Sequence, residues 1–134
     1  MSVAYLFGRR SSCPRADVGC VATLEGRIVA SGYVGAPSGQ PHCFEVGCQM
    51  ENGHCVRTIH AEANLVAWAA RTGTSLAGAR VWCTHSPCTR CAQLLANAGI
   101  KCLYWHHGYD QFALEYLRKL GVEDKKMLIP GVYP

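Results

Sequence analysis

Two short stretches of the chain have residue types and spacing suited to metal chemistry. One is Pro87-Cys88-Thr89-Arg90-Cys91 and the other is His60-Ala61-Glu62. Cysteines three apart at the start of a helix project from one face of its first turn, so the sulfurs of Cys88 and Cys91 can reach one ion. A helix N-terminus also favours negative charge and helps to hold both as thiolates. His60 supplies a third ligand, which leaves a tetrahedral zinc one open position for water. An open position implies catalysis, because zinc brings the pKa of water from about 15.7 down to roughly 7. Glu62, two residues beyond His60, stands where a carboxylate can accept that water's proton and pass it on. Each half alone has a plainer reading: C-x-x-C also builds structural zinc knuckles and redox pairs, and H-x-E arises by chance on many helices. Together, in this order, they point to a catalytic zinc.

Further ligand types crowd the segment before Glu62. "HCFEVGCQMENGHCVRTIHAE", residues 42 to 62, holds three cysteines and three histidines. With His60 taken, Cys43, Cys48, His54 and Cys55 remain. The segment from Ala36 to Thr58 has few large apolar residues, and a closed four-ligand zinc would order it. Reduced cysteines without metal are the alternative.

Hydrophobic periodicity and turn residues give the elements that must position these groups. Residues 2 to 11 suit a short helix. "VGCVATL" (18 to 24) and "RIVASGYVG" (27 to 35) suit strands that turn at Glu25-Gly26. After the long loop-like segment, 59 to 72 reads as a helix stopped by Gly73, apolar almost all round and so expected to be buried on both faces. "ARVWCTHS" (79 to 86) reads as a strand, and Pro87 opens a helix that ends at Gly99. A strand over 100 to 106, a helix over 110 to 120 and a last strand over 126 to 131 complete the pattern. Strands alternating with helices after an opening hairpin predict an α/β fold: a mixed five-stranded sheet with helices on both faces. Cys20, Cys83 and Cys102 fall inside predicted strands and read as buried thiols. His42, His85, His106 and His107 receive no metal role.

A length of 134 residues predicts one domain, 1 to 134. The net charge of +4 is spread along the chain, with no basic run beyond Arg9-Arg10 and Lys125-Lys126, which argues against a nucleic-acid polymer as partner. The N-terminal residues do not resemble a signal peptide, and no apolar stretch is long enough to cross a membrane. An odd number of cysteines, nine, with a C-x-x-C pair, fits thiols and metal better than a disulfide framework. The expected location is the cytoplasm.

H-x-E followed by P-C-x-x-C is the signature of zinc nucleobase deaminases. The chain resembles the deoxycytidylate (dCMP) deaminases of the cytidine deaminase superfamily over most of its length. The stretches that carry the likeness are "SCPRADVGCVA", "GYVGAPSG", "HCFEVGCQMENGHCVRTIHAEAN", "THSPCTRCAQLLANAGI" and "YWHHGYD". The resemblance implies a three-layer α/β/α sandwich, hydrolysis of dCMP to dUMP and ammonia, a hexamer, and control by dCTP and dTTP. It puts His60, Cys88 and Cys91 on the zinc ligands and Glu62 on the proton shuttle.

It also implies a second, structural zinc, with Cys13, Cys43 and His54 on matching positions. Cys48 is preferred as the fourth ligand, with Cys55 the alternative, because Cys55 adjoins His54 and sequence neighbours seldom both reach one ion. Tyr109 matches an aromatic of the nucleotide site, Arg15 a basic position near the substrate phosphate, and Asn64 the last residue of H-A-E-x-N. Ser86 precedes the proline whose neighbouring backbone receives the leaving amino group in relatives. Val34 departs from the pattern: the family has asparagine there, in contact with the nucleotide, so sugar recognition is in question. Apart from dCMP deamination, the alternatives are a deaminase of another small amino-heterocycle or modified cytosine nucleotide, and a non-catalytic zinc module. Glu62 argues against the last, since a closed zinc has no use for a carboxylate beside it. A homo-oligomer is expected from the apolar surface around Leu65, Val66 and Trp68.

Overall fold

The computed structural model describes residues 1–129. After helix α1 (Ser2–Gly8), strand β1 (Gly19–Leu24) turns back on β2 (Arg27–Tyr33). The turn is Glu25-Gly26, with φ of 51° and 79°, the left-handed pair that matches the twist of a two-residue hairpin. A short helix α2 (Cys43–Val46) and a small hairpin, β3 (Met50–Glu51) with β4 (His54–Cys55), precede helix α3 (Ala61–Thr72). Strand β5 (Arg80–His85), helix α4 (Thr89–Asn97), strand β6 (Cys102–His107), helix α5 (Gln111–Lys119) and strand β7 (Glu123–Lys126) follow.

The main sheet has the order β2-β1-β5-β6-β7. β1 runs antiparallel to both β2 and β5, whereas β5, β6 and β7 are parallel, joined by the helical crossovers that parallel neighbours require. This is the expected mixed five-stranded α/β sheet with helices on both faces. α1 lies against β1: a Cβ at Gly19 would collide with the backbone of Ala4 and Gly8. α3 lies on the opposite face, where a Cβ at Gly32 would collide with the Ala61 carbonyl oxygen. Only a residue without a side chain lets the first turn of α3 sit this close to β2. α4 packs beside α3 and α5. Trp105 of β6 donates its indole N–H to Asp124 of β7 (3.0 Å), and Arg118 of α5 pairs with the same carboxylate (2.6 Å), which ties α5 to the sheet edge. The core between sheet and helices is built from Leu65, Val81, Leu95, Leu103, Leu114 and Leu117, all fully buried.

Four expectations need correction. The first helix ends at Gly8, not at residue 11. α3 is not buried on both faces: Ala61, Glu62, Leu65 and Ala69 face inward, while Trp68 is 49% exposed. Leu65 therefore belongs to the chain's own core and adds nothing to an apolar surface. The last strand lies at Glu123–Lys126, before the apolar run that suggested it, and Leu128 is exposed. The charged "EDKK" suits an edge strand, whose open side must resist further pairing; residues 130 and 131 of the expected strand lie outside the described residues. Finally, the 36 to 58 segment contains α2 and the β3–β4 hairpin. Its turn is Asn52-Gly53, with φ of 49° and 79°. Asn-Gly is a strong hairpin signal and was there to be read.

Candidate active site

The N-termini of α3 and α4 meet, and the metal-ligand residues sit on their caps. His60 is the N-cap of α3 and Cys88 the N-cap of α4, both with extended backbone, and their carbonyls accept the first intrahelical hydrogen bonds, from the Asn64 and Ala92 N–H groups, at 2.9 Å. Cys91 is one turn into α4. The Sγ atoms of Cys88 and Cys91 lie 3.6 and 3.5 Å from His60 Nδ1. With metal–sulfur bonds of about 2.3 Å and metal–nitrogen bonds of about 2.0 Å, tetrahedral zinc places sulfur and nitrogen about 3.5 Å apart. The three side chains thus stand at zinc-ligand spacing.

Their protonation fits the same picture. Two thiols this close cannot both ionise without a cation. The bond with Cys91, aided by His60, holds the Cys88 thiol down at about 4, while Cys88 and burial push Cys91 up. Cys88 likewise raises the His60 pKa. Glu62 is 3% exposed, and burial raises its carboxyl pKa against the lowering effect of its own backbone N–H and of His60. Behind it in the sheet, the buried Cys20 and Cys83 sulfurs lie 2.7 Å apart on directly paired residues. Burial raises both thiol pKa values, so this pair stays protonated.

His60, Glu62 and Cys88 line a cavity of about 340 Å³, within the usual range for small-molecule sites. A larger groove of about 830 Å³, lined by Arg90, Gln93, Leu94, Asn97, Tyr116 and Leu120 among others, holds neither of the metal-ligand clusters found among the described residues, so the chemistry belongs to the smaller cavity. Arg15, Val34, Ser86 and Tyr109 all line that smaller cavity. Ser86 Oγ accepts the backbone N–H groups of Tyr109 (2.7 Å) and Asp110 (3.3 Å), which fixes the turn that presents Tyr109. Asp110 in turn caps α5 through the Ala113 N–H. Asn64 is not on the cavity wall: its side-chain amide donates to the Tyr33 carbonyl at 3.0 Å and ties α3 to the end of β2, next to Val34. Residues that sequence reading left out of the site but that line the cavity are Ala16, Val18, His85, Thr58 and Cys55.

A second cluster joins Cys13, Cys43, Cys48 and Cys55, with every sulfur within 4.8 Å of the others. Cys13 and Cys48 lie 3.6 Å apart, as do Cys43 and Cys55; a tetrahedral S₄ zinc site has sulfurs about 3.8 Å apart. His54 is not part of the cluster, and Cys55 takes the place expected for it. Adjacent strand residues point to opposite sides, so only one of the two can turn inward, and β4 turns in Cys55. His54 lines the cavity, as Cys55 also does. Burial pushes Cys43 up to about 12. Burial would also raise Cys55, but the backbone N–H contacts at Arg57 and Gln49 and the Cys43 thiol hold it at about 6.

A family model described as the cytidine and deoxycytidylate deaminase zinc-binding region matches residues 1–107. ComE operon protein 2 of Bacillus subtilis is 38% identical over 91% of this chain, which spans 66% of that protein's length. Deoxycytidylate deaminase of enterobacteria phage T4 is 30% identical, with 92% of this chain and 85% of the phage protein covered. Among solved structures, dCMP deaminase from cyanophage S-TIM5 in complex with dCMP and dUMP superposes with a TM-score of 0.85 at 36% identity, covering 94% of this chain and 92% of that one.

Proposed function

The chain belongs to the cytidine and deoxycytidylate deaminase family of hydrolytic enzymes, and from that premise we propose that it is a single zinc-dependent domain that hydrolyses dCMP to dUMP and ammonia. The observation that carries this reading is a cluster of His60, Cys88 and Cys91 at ligand spacing, whose His60 and Cys88 line one cavity together with the buried Glu62 carboxyl. The cyanophage relative that holds dCMP and dUMP supports the substrate.

Zinc held by His60, Cys88 and Cys91 would supply Lewis-acid activation of a water. Glu62 does the proton work: its carboxylate accepts one proton of the attacking water and delivers it to the pyrimidine N3, then takes the second from the hydroxyl now on C4 and delivers it to the amino group, which leaves as ammonia while C4 becomes the carbonyl. Burial raises its pKa above the ordinary carboxylate value, which makes it a better proton acceptor than an exposed glutamate and suits this role. Tyr109, fixed through Ser86, offers a ring to the base, and Arg15 a guanidinium to the phosphate. The four-thiol cluster is the place for a second zinc, closed and structural, giving two ions per chain.

Ammonia release from a panel of dCMP, deoxycytidine, CMP, dCTP and other amino-heterocycles tests the assignment. Release from dCMP at the highest kcat/KM is expected. Val34 on the cavity wall favours a second reading, a deaminase of another small amino-heterocycle, because it offers a sugar no hydrogen bond. A panel in which dCMP is ignored would put that reading first. For the assembly, the half-exposed Trp68 supports a homo-oligomer, and light scattering that shows only monomer at micromolar concentration would remove it.

A further inference from the structure

Tyr109 lines the cavity from a segment without regular structure, residues 108–110 between β6 and α5. Its side chain is 57% exposed, so packing does little to fix it. Its place on the cavity wall therefore depends on how the backbone around it is held. The buried Ser86 hydroxyl oxygen takes the Tyr109 and Asp110 N–H groups, and the Ser86 N–H donates to the His107 carbonyl at 2.8 Å. These bonds fasten the segment to the residues just before Cys88.

A second fastening lies just after Cys88. The Asp110 carboxylate divides its oxygens between two helices: Oδ1 accepts the Ala113 N–H of α5 at 3.2 Å, and Oδ2 accepts the Thr89 hydroxyl of α4 at 3.2 Å. Capping α5 needs only the first of these bonds. The second crosses to another helix. Thr89 is the first residue of α4 and follows Cys88 directly. Cys88 is thus flanked by the two side chains, Ser86 and Thr89, that hold the segment carrying Tyr109. The start of the metal-bearing helix and an aromatic of the cavity wall are joined through a few short bonds.

We propose that Asp110, through its bond to Thr89, is a positioning residue that sets the place of Tyr109 relative to the Cys88 end of α4 and thereby the affinity for the nucleotide. This rests on the nucleotide reading above. Tyr109 is the group that meets the nucleotide, and Asp110 and Thr89 act through it. Without the crossing bond the segment is held by Ser86 alone, and the ring is no longer kept in one position against the base. Binding weakens in ground state and transition state alike, so KM rises and kcat stays.

The experiment measures zinc content, kcat and KM for dCMP, and calorimetric binding of dUMP in Thr89→Val, which removes the hydroxyl, keeps the side chain's shape and leaves the α5 cap intact. KM and the dUMP Kd should both rise about tenfold, the worth of one hydrogen bond to a charged group, with wild-type zinc content and kcat within about twofold of wild type. Thr89→Ser restores the hydroxyl and should restore both values. In a Tyr109→Ala background Thr89→Val should cost little more, because the two act on one contact. Wild-type KM and dUMP affinity in Thr89→Val overturn the proposal and leave Asp110 as the cap of α5 alone. Loss of zinc in Thr89→Val, or a penalty that persists in full without Tyr109, overturns it equally, since the effect would then run through Cys88 and not through the ring. Asp110→Ala should weaken binding at least as much as Thr89→Val; should it fail to fold for want of the cap, the Thr89 variants decide. A wild-type enzyme that neither binds dUMP nor deaminates dCMP would overturn the nucleotide reading, and this proposal with it, before any variant is made.

Discussion

His60, Cys88 and Cys91 sit on the ends of two helices packed against a sheet, whereas Cys13, Cys43, Cys48 and Cys55 come from a turn, a four-residue helix and a hairpin with two residues per strand. In the first centre the fold makes the site. Cys88 caps α4 just after Pro87, Gly32 lets α3 sit on β2, and the ligands are carried at their spacing by packed regular elements. In the second a bound ion would supply what packing does not, because the segments that carry the thiols bury few large apolar side chains, with Phe44, Val46, Met50 and Val56 all exposed, and have few regular hydrogen bonds of their own. A three-ligand centre on rigid elements suits chemistry, since its open position is held by the scaffold. A four-ligand centre in irregular chain suits folding.

That contrast is best broken by removing ligands from each centre. Cys88→Ala or Cys91→Ala should lose one zinc per chain and essentially all deamination, with a melting temperature close to wild type. Glu62→Ala should keep two zinc ions and the fold yet lose about 10²–10⁴-fold in turnover, because it removes the proton carrier and no ligand. Near-normal turnover in Glu62→Ala would refute the proton-shuttle assignment. Cys43→Ser should show the opposite profile: loss of the other zinc and a destabilisation of about 2 kcal/mol or more, read by thermal or denaturant unfolding. If Cys88→Ala and Cys43→Ser lowered stability equally, the division into a fold-made and a metal-made centre would be wrong.

Val34 lies between the two centres and gives a smaller effect. Its carbonyl accepts the Ser12 N–H and the Ser11 hydroxyl, Ser12 in turn accepts from Cys43, and its side chain faces the cavity. Val34→Asn should raise kcat/KM for dCMP about tenfold, the worth of one hydrogen bond of about 1 kcal/mol or slightly more. If the wild-type enzyme ignores dCMP and Val34→Asn does not restore it, the dCMP assignment fails and the deaminase assignment stands.

The smallest effect concerns acid. The rings of His85 and His106 each pack at a tilt against His107, and Tyr5 bonds His106. Burial, then neighbouring His107, holds His85 and His106 below the ordinary 6.5. The unfolded chain therefore binds more protons just below that value. The stability involved is complete above about pH 6.5 and is lost as pH falls through the lower folded values. Melts of wild type against a His85→Asn, His106→Asn variant should show a shallower acid fall in the variant.

How much was legible in the sequence follows the same division. The α3 and α4 caps were readable because H-x-E and P-C-x-x-C combine a metal-ligand pattern with helix-start chemistry at fixed spacing. The strands of the main sheet were readable from apolar patterning, apart from β7, whose charged edge character hides it behind the apolar "MLI" that follows. In the second centre three of the four thiols were named and His54 was placed where Cys55 stands. The premise that neighbours seldom share an ion was sound, but choosing between them needs the strand phase, which Asn52-Gly53 would have supplied. Asn64 went astray for a related reason. Its position on the helix face was right, but its partner, the Tyr33 carbonyl, comes from a strand end that no local pattern reveals.

The thiol pairs span 35 residues between Cys13 and Cys48 and 12 between Cys43 and Cys55. An ion that joins them closes these loops in the native chain and not in the unfolded one, and the entropy of such closure grows only with the logarithm of loop length. The midpoint of unfolding then becomes a function of free zinc, rising by mass action as RT ln(1 + [Zn]/Kd) once the ion is above its dissociation constant. Two preparations of identical sequence, grown in media of different zinc content, would differ in measured stability with no difference in any covalent bond.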